Sequence, residues 1–118
     1  MDTINIKLSN GKFICADESM NNKIIANKVH AQTWETFIMI LTENNKCILK
    51  SHLNNFWSLN VETDEIEASA KNINSTEVFD IIYLDDKQFH LKASNGKFIT
   101  IDQQTFQLKA TSKIRDES

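Results

Sequence analysis

The hexapeptide SNGKFI at residues 9–14 recurs unchanged at residues 94–99, a shift of 85 positions. A weaker copy, LKSHLNNF at residues 49–56, lies 42 positions before LKASNGKF at residues 91–98. Alanines at positions 26, 68 and 110 follow the same period of 42. A fixed period of this length is the signature of a repeat architecture. The chain therefore consists of three units of about 42 residues.

Turns and short apolar runs alternate along each unit. The chain has no proline and only two glycines, so asparagine, which tolerates the left-handed conformation, serves as the turn residue. Pairs such as Asn10-Gly11, Asn44-Asn45 and Asn95-Gly96 separate runs rich in β-branched and aromatic residues. No long segment carries the 3.6-residue stripe of an amphipathic helix. The predicted class is all-β, with up to four strands in each unit.

Strands repeated with threefold pseudosymmetry predict a β-trefoil, in which six strands close a barrel and three hairpins cap one end. A β-propeller also repeats four strands in about 40 residues, but three blades fall below its usual four to eight. We expect a single β-trefoil domain over residues 1–118, with repeats at approximately 4–44, 45–86 and 87–118.

The third unit lacks the signal for its last strand. The counterpart of Glu35 and Glu77 would fall at position 119, one residue past the end. An empty slot would leave core side chains and backbone groups unpaired, at a cost of several kcal/mol. Three alternatives remain open: residues 1–7 fold back into the gap, residues 112–118 shift register to fill it, or a second chain or downstream segment supplies the strand. The second chain would make a dimer by strand exchange.

Composition excludes several classes. Thirteen lysines and arginines against 16 aspartates and glutamates give a net charge of −3, which argues against nucleic acid as the partner. The longest apolar run, residues 37–41, is far shorter than the ~20 residues of a membrane helix, and residues 1–6 do not read as a signal peptide. The expectation is a cytoplasmic protein that does not bind membranes.

The cysteines and histidines give no sign of chemistry. Cys15 and Cys47 match neither a disulfide framework nor a zinc motif, and buried free thiols are expected. No motif pairs a histidine with either cysteine as base and nucleophile. We predict no enzyme, no metal and no cofactor.

The unit pattern Leu-Lys-Ser-x-Asn-Gly-Lys-Phe-Ile, followed by an aliphatic-Ala strand and Trp-Glu-Thr-Phe, resembles the fascin-like and hisactophilin-like β-trefoils. These form an actin-cross-linking family. The resemblance is carried by residues 7–16, 24–27, 34–37, 49–56 and 91–100. It implies a non-enzymatic module that binds actin filaments or another cytoskeletal protein.

Lysines recur on either side of the first turn of the unit, at Lys50 and Lys92 before it and at Lys12 and Lys97 after it. As a group they are the predicted partner-binding face, where a basic surface would steer an acidic protein such as actin. The alternative explanation is that lysine at alternating strand positions simply faces water and protects edges from pairing.

A carbohydrate-binding, lectin-like module is the alternative function. Trp57 has no aromatic equivalent in the other units, where Ile14 and Ile99 stand, so we expect it to be exposed and able to stack on a sugar, with His52 and Asn54 beside it. Trp34 echoes the Gln-x-Trp signature of ricin-type lectin trefoils, but it is not repeated and is expected to pack at the base of the barrel. An inhibitor or cytokine-like ligand has no motif here that supports or excludes it.

Overall fold

The computed structural model describes residues 2–6, 12–17, 23–28, 36–52, 54–85 and 88–113. These residues form β-strands and one short 3₁₀ turn, Ser75–Glu77, as the sequence predicts for an all-β protein. The strands are β1 (Asp2–Ile4), β2 (Phe13–Asp17), β3 (Lys23–Lys28), β4 (Phe37–Thr42), β5 (Lys46–Lys50), β6 (Phe56–Leu59), β7 (Ile66–Ala70), β8 (Phe79–Tyr83), β9 (Phe89–Lys92), β10 (Phe98–Ile101) and β11 (Leu108–Ser112).

All of the described strands belong to one antiparallel sheet. Its main path runs β11-β10-β9-β8-β5-β6-β7-β3-β2, and β4 pairs with both β1 and β5. The pairs β2–β3, β6–β7 and β10–β11 are hairpins at equivalent positions of the three repeats. The tight β4–β5 and β8–β9 connections join one repeat to the next.

The three hairpins are linked to one another in a ring. In each link, a residue of one hairpin pairs with a residue of the next repeat that lies two positions beyond its own equivalent. The same offset occurs in all three links, so the strand pairing itself has threefold symmetry. The linked pairs are Lys23 with Glu67, Glu65 with Lys109, and Gln107 with Ile25.

Alanine occupies the place where the hairpins meet. Ala26, Ala68 and Ala110 are each fully buried. The backbone N–H of Ala26 donates to the carbonyl of Phe106 at 2.7 Å, and that of Ala110 donates to the carbonyl of Asp64 at 2.8 Å. A larger side chain would separate strands that must approach this closely, so the 42-residue period of alanine follows from the packing at the pseudo-threefold axis.

The centre of the core is aromatic. Trp57 has 0% of its surface exposed and packs edge-on against Phe37, at 5.1 Å between ring centroids, and against Phe79, at 6.4 Å. Phe37 and Phe79 are equivalent residues at the starts of β4 and β8. Edge-to-face aromatic pairs contribute about 0.5–1.5 kcal/mol beyond their buried area. This cluster therefore joins the first two repeats across the barrel.

The amino-terminal strand takes a regular position in the barrel. Ile4 lies opposite Phe37, as Cys47 lies opposite Phe79 in the second repeat. Residues 2–4 are thus the first barrel strand of the first repeat, so the alternative in which residues 1–7 fold back into the slot of a missing twelfth strand is wrong. Residues 114–118, the part of the second alternative that follows β11, lie outside the described residues. Supply of the strand by a second chain stays a prediction.

Asparagine and glycine occupy the same left-handed position in two repeats. Asn54 has a φ of 64° and Gly96 a φ of 79°. The backbone N–H of each donates a hydrogen bond that closes a turn. Asn54 donates to the carbonyl of Ser51 at 2.9 Å, and Gly96 donates to the carbonyl of Ala93 at 3.0 Å. A Cβ atom added at position 96 would meet no atom within 4 Å, so the backbone conformation, and not a lack of space, disfavours alanine here.

We predict that Gly96→Ala and Asn54→Ala each lower the free energy of unfolding by about 1 kcal/mol, the cost of alanine in the left-handed region. Asn54→Gly should change it by less than about 0.5 kcal/mol because glycine accepts the same φ. Urea denaturation followed by circular dichroism measures these differences. Asn72→Ala is the control, since Asn72 is exposed and does not have a positive φ; equal losses at all three positions would contradict the explanation.

Candidate functional site

The four predicted partner-binding lysines are all half-buried. Lys12 and Lys97 directly precede β2 and β10, while Lys50 and Lys92 are the last residues of β5 and β9. The ammonium group of Lys50 lies 5.8 Å from the centroid of the Phe56 ring, and that of Lys92 lies 5.6 Å from the Phe98 ring.

These two lysine–phenylalanine contacts occupy equivalent positions of the second and third repeats. A lysine over an aromatic ring covers apolar surface with its stem and gains a cation–π attraction. The contact gives Lys50 and Lys92 a role within the fold itself, whatever partner they meet. Binding of a partner through the lysine set stays a prediction.

The prediction that Trp57 is exposed is wrong, because the indole is fully buried between Phe37 and Phe79. It cannot offer a ring face to a sugar. Its neighbours in that prediction are more accessible: His52 is half-buried and Asn54 is exposed, both in the turn between β5 and β6. Trp34 lies outside the described residues.

The surface carries a cleft of about 470 Å³ elsewhere, at the turn between β4 and β5 and along β8. The residues that line it carry polar groups of three kinds, namely a carboxylate, two amides and an ammonium, together with one phenol ring. Its lining residues are Asn44, Asn45, Asp80, Ile81, Ile82, Tyr83 and Lys92.

The β4–β5 turn fixes the amide wall of the cleft. Asn44 and Asn45 both adopt left-handed conformations, with φ of 62° and 58°, which asparagine tolerates better than most residues. The carbonyl of Asn45 accepts a hydrogen bond from the backbone N–H of Ile81 at 2.9 Å. This bond holds the turn that carries both asparagines against β8, the strand that carries Asp80.

Asp80 is anchored by one oxygen and open at the other. Its Oδ1 accepts a hydrogen bond from the Lys46 ammonium at 2.6 Å. Its Oδ2 has no hydrogen-bond partner among the described residues. A carboxylate held in this way can accept a hydroxyl hydrogen without losing its orientation.

Tyr83 supplies the aromatic surface. It is the last residue of β8 and 51% exposed. The half-buried Phe89 braces its ring edge-on, with 6.3 Å between centroids and an interplanar angle of 65°. A ring braced from one side and open on the other presents a fixed apolar face at low conformational cost.

The cleft is a departure from repeat symmetry. In the first repeat Ile38 stands at the position of Asp80 and Leu41 at that of Tyr83. The fold accepts apolar residues at both places, so neither the carboxylate nor the phenol is required for folding. Comparison of the repeats at these two positions is the sequence signal that could have found the site.

A buried carboxylate supports the start of β8. Glu77 is 3% exposed, and it accepts hydrogen bonds from the hydroxyl groups of Thr76 at 2.5 Å and Ser58 at 2.7 Å and from the backbone N–H of Asn74 at 2.8 Å. Burial pushes the pKa of Glu77 upward, but these hydrogen bonds outweigh it and hold the pKa below its ordinary value. The ionised carboxylate therefore ties β6 to the 3₁₀ turn that leads into β8.

Both cysteines are buried, as the sequence predicts. Neither Cys15 nor Cys47 forms a disulfide bond. Burial, together with the nearby charge of Asp80, raises the pKa of Cys47 to about 12, so the group stays a thiol at neutral pH. Within the described ranges, no group of three or more His, Cys, Asp and Glu side chains is arranged to hold a metal ion. Within the same ranges no helix is long and apolar enough to cross a membrane.

A family model described as "Domain of unknown function (DUF7910)" matches residues 2–117. The chain belongs to this family, whose description assigns no function. The resemblance to the fascin-like trefoils remains a prediction at the family level.

Solved structures establish the fold. The designed threefold-symmetric protein ThreeFoil matches with a TM-score of 0.80 and 10% identity, over 93% of this chain and 89% of that one. An endo-β-galactosidase from Clostridium perfringens that releases GlcNAcα1-4Gal matches with a TM-score of 0.76 and 14% identity, over 92% of this chain. Cry35Ab1 matches with a TM-score of 0.74 and 15% identity, over 95% of this chain. The chain is a β-trefoil, as predicted; it spans 28% of the galactosidase and 32% of Cry35Ab1.

We predict that Glu77→Gln lowers the free energy of unfolding at pH 7 by about 1–3 kcal/mol, the usual worth of hydrogen bonds to a charged group. Because the pKa of Glu77 is depressed in the folded state, its contribution is present at neutral pH. It is lost as the pH falls below about 4.3, the pKa of an unfolded glutamate. Urea denaturation at several pH values should show the gap between wild type and variant narrowing in acid.

The control is Glu62→Gln, since the Glu62 side chain is exposed and makes no hydrogen bond among the described residues. A gap for Glu77→Gln that stays constant down to pH 3 would contradict the proposed role of the ionised form.

Proposed function

We propose that this chain is a non-enzymatic carbohydrate-binding module that holds a glycan in the cleft lined by Asp80, Tyr83, Asn44 and Asn45. The observation that carries the proposal is the meeting of a braced, half-exposed phenol ring with an open carboxylate oxygen and two amides. This combination breaks the repeat symmetry at positions where the fold accepts apolar residues.

The chemistry of the cleft suits a sugar. A pyranose presents an apolar C–H face and a rim of hydroxyl groups that both donate and accept. Tyr83 offers a surface for the C–H face, and Asp80 Oδ2 accepts from a hydroxyl. The amides of Asn44 and Asn45 supply both donors and acceptors. A few fixed polar groups beside an apolar surface are the usual design of a small-ligand site.

The structural neighbours are compatible with the proposal but do not carry it. The Clostridium perfringens protein acts on a carbohydrate, and the present chain spans only 28% of it. At 14% identity the likeness shows the fold alone. The proposal therefore depends on the cleft itself.

We predict that a binding glycan shifts the signal of Tyr83 and that Tyr83→Ala weakens binding at least about tenfold, since a central aromatic contact is commonly worth more than 1 kcal/mol. Tyr83 is the only tyrosine in the chain, so incorporation of 3-fluorotyrosine gives one ¹⁹F NMR resonance that reports on the cleft. A panel of oligosaccharides is titrated against it, and dissociation constants are measured by calorimetry.

Leu41→Ala is the matched control for Tyr83→Ala. Leu41 is the equivalent residue of the first repeat, and the two are 53% and 51% exposed. Asp80→Asn should also weaken binding, because an amide oxygen is a poorer acceptor than a carboxylate. A panel in which no glycan moves the resonance, or unchanged affinity in Tyr83→Ala, would overturn the proposal.

Binding to actin filaments or another cytoskeletal protein through Lys12, Lys50, Lys92 and Lys97 stays a separate prediction. Substitution of all four by glutamate should then abolish salt-sensitive co-sedimentation with F-actin, because a basic face is steered by Coulomb attraction that salt screens. The exposed Lys113→Glu is the control. Lys12, Lys50 and Lys97 do not line the cleft. A variant with only these three substitutions should therefore weaken actin binding without changing glycan binding. Absence of pelleting by wild-type protein at low salt would end the actin hypothesis.

A further inference from the structure

The charges that line the cleft are unbalanced. Among the residues that the structure describes, Asp80 and Lys92 are the charged ones in its lining. Asp80 is already neutralised by Lys46, at 2.6 Å. Lys92 faces Asp80 in the β8–β9 register, but it forms no ion pair among the described residues. Asp80, Lys46 and Lys92 together carry a formal charge of +1, in a chain whose net charge is −3.

Lys92 is positioned by an aromatic ring, and not by an ion pair with any residue in the described ranges. Its ammonium lies 5.6 Å from the centroid of Phe98, and the residue is half-buried. Contact with the ring restricts the side chain and removes part of its hydration. A partly desolvated cation with no counterion gains more from an arriving anion than a fully hydrated one does.

The second repeat provides an internal comparison. Lys50 makes the same contact, with Phe56 at 5.8 Å, but the residue opposite it in β4 is Ile38, and Lys50 does not line the cleft. The lysine–phenylalanine contact is therefore a feature of the repeat. Of the two lysines, only Lys92 stands opposite an acidic residue and lines the cleft with Tyr83.

We propose that the cleft selects a glycan that carries an anionic group, a carboxylate or a sulfate, and that Lys92 binds this group while Tyr83 contacts the sugar ring. The inference rests on the function proposed above and adds the class of sugar. The Asp80–Lys46 pair serves the neutral hydroxyls, and Lys92 remains free of that pair to bind the charge.

The test uses pairs of sugars that differ in the acidic group alone. Suitable probes are lactose with sialyllactose, lactose with sulfated lactose, and oligogalacturonate with its methyl ester. Calorimetry and the ¹⁹F resonance of fluorotyrosine at position 83 report binding. We expect the acidic member of at least one pair to bind at least about tenfold more tightly, with a preference that declines as salt is raised. The sialyl and galacturonate pairs identify a carboxylate, and the sulfated pair identifies a sulfate.

Variants at the two equivalent lysines assign the preference. Lys92→Met should bring the acidic sugar to the affinity of its neutral partner, whereas Lys50→Met should leave the preference intact. Lys92→Arg, which keeps the charge, should retain most of it. Because Lys50→Met removes the same contact with phenylalanine, it also controls for any loss of stability.

Each remaining outcome is decisive. Equal binding of neutral and acidic sugars would overturn this inference and leave the proposed function standing. A preference that survives Lys92→Met would overturn the role of Lys92. If no member of any pair binds and no other glycan of the panel moves the Tyr83 resonance, both the proposed function and this inference fail.

Discussion

The convergence of three hairpins on one axis is the constraint on which the rest of the structure depends. Each hairpin is linked to the next by backbone pairing between repeats, so none of the described hairpins can move independently. The approach is close enough that the axial positions hold alanine, with no exposed surface. The barrel below is aligned by the same relation, because every hairpin continues into strands of its own repeat.

This constraint also accounts for Phe106, whose backbone has a left-handed conformation that phenylalanine rarely adopts. Phe106 has a φ of 61°, which is uncommon for a bulky side chain. The equivalent residue of the second repeat, Asp64, has a φ of 63°. Both residues direct a backbone carbonyl to the N–H of an axial alanine in another hairpin, at 2.7 and 2.8 Å. The left-handed conformation is retained because these hydrogen bonds link the cap, and strain of this kind persists only where the surrounding structure determines it.

Much of the fold follows from the 42-residue period, and the site does not. The period predicts the strands, the turns at Asn54 and Gly96 and the axial alanines, since each is demanded at an equivalent place in more than one repeat. Trp57 shows the limit of such reasoning. Its equivalents are Ile14 and Ile99, and the three lie opposite the axial alanines in register. Trp57 is fully buried, as Ile14 is, so a residue that is unique to one repeat need not be an exposed residue.

The cleft could not be predicted from the repeat pattern, for a related reason. Its amides come from a turn between repeats and its carboxylate from a strand, and a backbone hydrogen bond from Ile81 to Asn45 brings them together. No contiguous motif encodes that meeting. The informative signal was a difference between repeats, in which a carboxylate and a phenol replace Ile38 and Leu41.

Proteins that share 10–15% identity with this chain superpose on it with TM-scores of 0.74–0.80. The fold therefore needs few particular residues, and in this chain we assign that role to the residues of the left-handed turns, the axial contacts and the aromatic or aliphatic core. The pattern that resembles the fascin-like trefoils is made largely of these same positions, including Gly96 and Phe98. A resemblance carried by fold-determining residues predicts the fold well and transfers function poorly. Evidence for function must come from residues that the fold leaves free, and in this chain Asp80 and Tyr83 are such residues.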